Sequence, residues 1–505
     1  MPTPPGPKSH IPFRYLRTLQ RDPIPFFQKL ANEYGDASQF HVGPQQIFFF
    51  NHPDLIRELL VTQHRSFHKS RVLQRSKIIF GEGLLTSEEE VHRRQRRLVQ
   101  PAFHRERIGR YAEVMIERAG RLGWGDGEVL DVHQEMMRLT LSVVAKTLFD
   151  AEIDQEADEI GVALTSLVDL FPTLMNPIAN LLRKLPLPQT MRFRRSLERL
   201  DQTVYGIIDE RRKSGEDRGD LLSMLLMAVD EEDGGSMTDQ QLRDEAMTLF
   251  LAGHETTANA LAWTWYLLSL NPEAADAMLR ELAAVLGDRT PTPADYARLP
   301  YTEMVVAEAM RMFPPAWAVS RLAIEDATIG EWFVPKGAVV VASQAVTHRD
   351  PRWFPDPETF DPLRFIPEAK ASRPKLSYFP FGAGPRICIG EGFAWMEAVL
   401  IVATIAQRWK LSLLTDDVTP QASITLRPKG GIRMRVLSSR AAKPGVAKRR
   451  KAEDGRRTPF LLTREGWYER QNPPPLPGYQ SGGPSTVLRD FAFGYVAPAA
   501  QDDRA

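Results

Sequence analysis

The stretch Phe379-Pro380-Phe381-Gly382-Ala383-Gly384-Pro385-Arg386-Ile387-Cys388-Ile389-Gly390 carries the single cysteine of a 505-residue chain. Without a second cysteine no intramolecular disulfide can form, and neither a cysteine-based zinc site nor an iron–sulfur cluster can be assembled. The loop is rich in glycine and leads into an apolar helix expected from Gly390. A free thiol with a pKa of about 8.5 is only a few per cent ionised at neutral pH. Two effects would make it a ligand: amides at the start of the following helix favour negative charge at the sulfur, and a bound metal displaces its proton. Gly382, Gly384 and Gly390 would let the backbone approach a flat cofactor, with Phe381 packed beside the sulfur. An isolated cysteine in a turn is more commonly a buried, inert thiol, and the loop's residues alone leave that reading open.

Outward from the loop, the composition is that of a globular protein, with 43% hydrophobic and 25% charged residues. Disorder, collagen-like repeats and a disulfide scaffold are excluded as classes. Lys+Arg and Asp+Glu are 64 each, so the basic excess of a nucleic-acid binder is missing. Most of the chain has helical periodicity. The clearest helix opens at Thr238, which has capping-box spacing to Gln241, and runs through Leu270 until Asn271-Pro272 stops it. Asn271 then caps a second helix ending near Gly287. Further helices are expected at about Arg93–Val99, Thr302–Met312 and Gly390–Trp409, and short strands at Gln46–Phe50 and Ala338–Ser343. The fold expected is mainly α, one large domain over residues 1–437 with a long central helix and small β-sheets. From 438 to 505 come a basic cluster (Lys448, Arg449, Arg450, Lys451, Arg456, Arg457), Pro473-Pro474-Pro475 and Gly- and Ala-containing ends, expected as a largely disordered tail. The N-terminus lacks a signal peptide's charged start and apolar run, and no run of about 18 apolar residues occurs, so a soluble cytoplasmic protein without a membrane anchor is expected.

Phe381-x-x-Gly384-x-Arg386-x-Cys388-x-Gly390 fills every position of the haem-ligand signature of the cytochrome P-450 family, and three further segments are similar to that family in the same order. Glu308-Ala309-Met310-Arg311 resembles its Glu-x-x-Arg helix, and Pro357–Phe365 its Phe-x-Pro-x-Arg-Phe segment. His92-x-x-x-Arg96 resembles the segment that contacts haem propionates in bacterial members. The resemblance implies a soluble bacterial-type haem-thiolate monooxygenase, with Cys388 as the proximal ligand of haem b (iron protoporphyrin IX) and the central helix over the haem. It further implies that Arg386, His92, Arg96 and Arg321 face the propionates, that Phe381, Gly390 and Ala252 lie against the cofactor, and that Glu308, Arg311 and Arg364 form a buried structural network. Basic residues on a solvated face account equally for Arg93, Arg94 and Arg97.

Within the long helix, Ala252-Gly253-His254-Glu255-Thr256-Thr257 places a glycine and two threonines where they weaken a helix, and a threonine hydroxyl can bond back to a carbonyl one turn earlier and open a groove. A tolerated kink in a core helix accounts for these residues as well. The segment resembles the family's oxygen-activation motif, which implies that Glu255 and Thr256 are the catalytic acid–alcohol pair that delivers protons during dioxygen activation. By the same resemblance the substrate pocket draws on Ile78, Ile79, Phe80, Leu84, Leu85, Ala252, Ala316, Trp317, Val319, Ile424 and Thr425, a mostly apolar set that suits a fatty acid, terpenoid or similar lipophilic molecule. Arg71, Arg75 and Lys77 would anchor a carboxylate or simply be surface charge. No Gly-rich nucleotide fingerprint is present, so electrons from NAD(P)H are expected through a separate ferredoxin or flavodoxin and its reductase. A peroxide-driven or isomerising enzyme, and a haem protein that binds ligands without turnover, are the alternatives.

Overall fold

In the computed structural model the described residues are 2–8, 13–152, 188–229, 234–414 and 418–439. The expected tail lies outside them except for Ser438 and Ser439. The elements that build the site are helices α1 (Glu89–Val99), α2 (Val132–Phe149), α3 (Asp239–Leu270), α4 (Pro300–Met312) and α5 (Glu391–Ala406). At 1.5 Å per residue, α3 is about 48 Å long. Its first turn is fixed by the expected capping box: the Thr238 hydroxyl accepts from the Gln241 amide, and the Gln241 side chain accepts from the Thr238 amide. Its middle is buried on nearly every side. A Cβ on Gly253 would stand 3.0 Å from Val144 of α2, so glycine lets the two helices approach. Phe149 and Phe250 stack at 4.3 Å across the same interface, and Trp263 stacks on Phe313 at 4.0 Å beyond the end of α4.

A five-stranded sheet flanks the helices. Its strands are β1 (Ala37–Val42), β2 (Gln45–Phe50), β3 (Phe67–Lys69), β4 (Val319–Ala323) and β5 (Val339–Ala342), in the order β1-β2-β5-β4-β3. β2 and β5 are parallel, with Ile47 opposite Val339; the other pairs are antiparallel, and β3 meets β4 with Lys69 opposite Arg321. A small hairpin, β6 (Pro420–Ala422) and β7 (Leu426–Pro428), carries Ser423, Ile424 and Thr425 at its tip.

Boundaries differ from expectation where local chemistry overrides the apolar pattern. α1 begins four residues before Arg93, because Glu89 and Glu90 suit the positive end of a helix. α4 begins at Pro300, whose fixed φ suits a first turn. α5 stops at Ala406 rather than at Trp409, which starts a strand paired with Arg433–Ser438. Among the described residues no helix is long and apolar enough to cross a membrane.

Candidate functional site

The loop positions Cys388 through its own backbone. The Cys388 amide donates to the Phe381 carbonyl at 3.0 Å, and the Gly390 amide donates to the sulfur. Burial pushes the thiol up to about 11 against that amide, yet the side chain is exposed. A group that touches solvent while surrounded by desolvating protein lies on the wall of an internal recess. Gly384 is required by packing as well as by conformation: its φ is +73°, and a Cβ there would fall 2.0 Å from the Leu60 carbonyl oxygen. Gly390 does leave space next to the sulfur, a Cβ there lying 3.9 Å from Sγ. Phe381, half-buried, packs against Trp395 with ring centres 5.8 Å apart.

Beside the loop the fold gathers cations. Arg96 donates to the Ile387 carbonyl at 2.8 Å, and Arg386 donates to the Phe67 carbonyl at 3.0 Å while pairing with Glu88. Arg321 is buried on β4, directly across the strand pair from Lys69. Like charges opposite each other weaken a strand pair, and Glu88 is the carboxylate that acts on both. Burial, together with repulsion from Lys69, Arg386, Arg96 and Arg321, lowers the His92 pKa to about 3. Burial and the same crowding, opposed by Glu88, bring Lys69 down to about 7. Its ammonium donates to the carbonyls of Leu84 at 2.9 Å and Ser87 at 2.7 Å. His92, Arg96, Arg321 and Arg386 were expected here. Lys69 and Glu88 were not: a lysine in a three-residue strand and a glutamate before a helix carry no motif.

These donors fit a haem. An accessible sulfur is held deep in the fold, and surplus buried positive charge beside it suits two propionates; Cys388 would ligate the iron, with Arg96, Arg321, Arg386, His92 and Lys69 about the carboxylates.

The loop also rests on a buried ion pair. Glu308 and Arg311, both fully buried on α4, bond bidentately at 2.7 and 2.8 Å, and Arg364 Nε lies 3.3 Å from Glu308. The third expected member is therefore present. Arg311 also donates to the His348 carbonyl at 3.0 Å, and the His348 ring accepts from the Phe379 amide at 3.0 Å. His348, unremarked in the sequence, links the ion pair to the first residue of the cysteine loop.

On α3 the residues divide by face. Ala252 is exposed and Thr256, one turn on, is half-buried, although Leu251, His254, Glu255 and Thr257 are buried. The Thr256 hydroxyl donates to the Ala252 carbonyl at 2.8 Å, the back-bond anticipated for this motif. Successive helical residues project about 100° apart, so Glu255 does not share that face. Its carboxylate instead accepts from the Thr425 hydroxyl at 2.5 Å.

The expected pocket residues are dispersed in burial. Ile79, Phe80 and Leu84 are buried; Ile78, Leu85, Ala316, Val319 and Ile424 are partly so. Trp317 packs with the N-terminal aromatic cluster and donates its indole N–H to the Ser423 carbonyl at 2.9 Å. Thr425 is buried, and its hydroxyl is occupied by Glu255 and Asn259. Lys77 pairs with Glu82 at 2.7 Å, which favours surface charge over an anchoring role.

A fold of this helical plan, with a cysteine loop backed by a buried Glu–Arg pair, is that of the haem-thiolate oxidoreductases, and the chain belongs to the cytochrome P450 family, whose model matches residues 4–434. It is similar to cyclooctatin synthase of Streptomyces melanosporofaciens, 42% identical across 81% of this chain and 91% of that protein. Cyclooctat-9-en-7-ol 5-monooxygenase of the same organism is 37% identical over 79% of this chain and 87% of its own length. Pentalenene oxygenase of Streptomyces avermitilis is 35% identical over 83% and 94%. Among solved structures, the cytochrome P450DA haem domain superposes with a TM-score of 0.76 at 28% identity, covering 87% of this chain and 98% of that one. Membership in this family makes the protein an oxidoreductase that carries haem.

Proposed function

We propose that this protein is a monooxygenase that inserts one atom of dioxygen into a terpenoid or a similarly apolar small molecule. The observations that carry the reading are an accessible Cys388 sulfur next to Arg96 and the accessible Ala252–Thr256 face of α3. Relatives named for oxygenation of cyclooctat-9-en-7-ol and of pentalenene support the substrate class.

Bound haem would supply the redox chemistry that activates dioxygen, which a thiolate ligand favours. Cys388 supplies the thiolate, and the Gly390 amide moderates the charge on its sulfur. Arg96, Arg321, Arg386 and Lys69 would hold the propionates. Thr256 presents its hydroxyl oxygen on the accessible face, where it orients a proton donor; Glu255 returns the proton from the protein side. Protons delivered to the correct oxygen yield water and product, and misdirected ones yield hydrogen peroxide. Partly buried Ile78, Leu85, Val319 and Ile424 offer apolar contact that excludes bulk water from the substrate. Electrons come from a separate ferredoxin or flavodoxin and its reductase, with NAD(P)H as their source. The carrier docks near α1, where Arg93, paired with Glu90, is well exposed.

Incubation with candidate cyclic terpenes under labelled dioxygen, with and without a reducing system, tests the reading. One labelled oxygen in product, dependent on reductant, is the expected result. Unlabelled product or reductant-independent conversion would identify a peroxide-driven or isomerising enzyme, and ligand-induced spectral shifts without product a binding protein.

A further inference from the structure

Behind Glu255 lies a hydrogen-bonded series that the acid–alcohol pair does not explain. The Thr425 hydroxyl donates to Glu255 Oε1 at 2.5 Å. Asn259 Nδ2 donates to Thr425 Oγ1 at 3.2 Å, and His133 Nε2 bonds Asn259 Oδ1 at 3.0 Å. Glu255 and Asn259 are one turn apart on α3, so the hydroxyl of Thr425 enters between neighbours on a single face. Glu255, Asn259 and Thr425 are buried.

The direction of each bond follows from its donors. An amide oxygen only accepts, so His133 must present Nε2–H to Asn259 Oδ1. With the amide in this orientation Nδ2 faces Thr425, whose oxygen accepts and whose single proton is left for Glu255. Glu255 Oε1 is thus committed as an acceptor. A side-chain amide does not pass protons along as a hydroxyl or imidazole does, so the series is an orienting device rather than a proton wire. Burial lowers the His133 pKa, which keeps the ring neutral; Asp131 before α2 and Arg427 on β7 are the charged groups facing it.

Thr425 also belongs to a tip that is fastened to α3 and to the segment before β4. Ser423, two residues earlier, accepts from Trp317, and the Leu426 amide donates to the Pro315 carbonyl at 2.9 Å. The Trp263 indole of α3 donates to the Leu426 carbonyl at 3.0 Å. Ile424, between them, is half-buried.

We propose that Thr425, backed by Asn259 and His133, is a positioning residue for Glu255: it holds the carboxylate off the Thr256 face as a hydrogen-bond acceptor and ties its orientation to the hairpin tip that carries Ile424. The proposal rests on the assignment of Glu255 as proton donor. A hydroxyl donating to a carboxylate stabilises the charged form, so removing it raises the acid's pKa.

The test uses the ferric holoenzyme of the unmodified protein, Thr425→Val and Thr425→Ser, with Glu255→Gln to assign the signal. Infrared titration follows the buried carboxyl C=O band that Glu255→Gln abolishes. In Thr425→Val the pH at which this band appears should move up by roughly one to two pH units, as expected for a lost hydrogen bond to a charged group, and Thr425→Ser should return it. The pH dependence of product formed per NAD(P)H should shift in the same direction, while the haem spectrum and unfolding midpoint of Thr425→Ser stay at the unmodified values. A band that does not move in Thr425→Val overturns the proposal. A band that moves while the coupling profile stays fixed overturns instead the role of Glu255 as proton donor.

Discussion

Arg311→Leu isolates the contribution of the ion pair under the cysteine loop. Arg311 makes four donated hydrogen bonds, two to Glu308, one to the His348 carbonyl and one to the Thr359 carbonyl at 3.3 Å. Leucine fills much of the same volume but leaves the Glu308 carboxylate with only the Asp361 amide at 2.9 Å and Arg364 at 3.3 Å among these partners. Stranding one member of a buried pair costs about 3–5 kcal/mol, or roughly two to nearly four orders of magnitude in the folding equilibrium. An exposed pair such as Arg93–Glu90 is worth about 0–1 kcal/mol, so Arg93→Leu is the control. Urea unfolding of the holoprotein should be followed at the Soret band and by far-ultraviolet circular dichroism, since coincident transitions justify the conversion to free energy. Burial already raises the Glu308 pKa from its ordinary 4.5 despite Arg311, and losing Arg311 raises it further. A carboxyl whose folded pKa lies above its unfolded value loses stability as pH rises, so the deficit should grow once pH passes the already raised pKa of Glu308 in the unmodified protein and level off above that of the variant. The His348 link to Phe379 should make haem release faster too. A loss below about 1 kcal/mol, the range of exposed pairs, or a deficit that shrinks as pH rises, would refute the reasoning.

The remaining tests address the chemistry. Reduced protein under carbon monoxide should show the strongly red-shifted Soret band of thiolate ligation, and Cys388→His should lose it; a histidine-type spectrum in the unmodified protein would sink the ligand assignment. Thr256→Ala removes only a back-bond to Ala252, so haem and substrate binding should persist. Its product yield per NAD(P)H should fall by about tenfold or more, the electrons appearing as hydrogen peroxide, and unchanged coupling would count against the role of Thr256. Charge reversal at Arg93 and Arg97 should slow carrier-dependent reduction at low salt and leave dithionite reduction alone, because exposed charges steer a partner only within a Debye length of about 10 Å at 0.1 M. Equal carrier-dependent rates at every ionic strength would move the docking site elsewhere.

What the sequence disclosed follows from what each residue has to do. The long helix was legible because its cap, its apolar run and its Asn-Pro stop are all local. The strands were harder: β3 is three residues, and only pairing with β4 across more than two hundred residues of chain makes it a strand. The residues proposed to hold the cofactor, and the ion pair under their loop, stood out in the same way. Cys388, Arg386 and the Glu308–Arg311 pair lie at short fixed spacings, because a loop or one turn of helix must present them together.

Residues that position others have no such constraint. Thr425 reaches Glu255 from 170 residues away, and His133 reaches Asn259 from 126, so neither bond leaves a pattern in the chain. Lys69 is the sharpest instance. As a sequence feature it is a lysine in a short run, yet the register sets it opposite Arg321 in buried surroundings, where its own pKa falls to about 7. A strand pair bearing facing cations is a poor choice for stability on its own. Glu88 offsets part of that charge, and the local surplus that remains coexists with equal numbers of acidic and basic residues in the whole chain. Global neutrality governs how the molecule behaves in solution, whereas the charges gathered by β3 and β4 are set by a register that no local sequence signal announces.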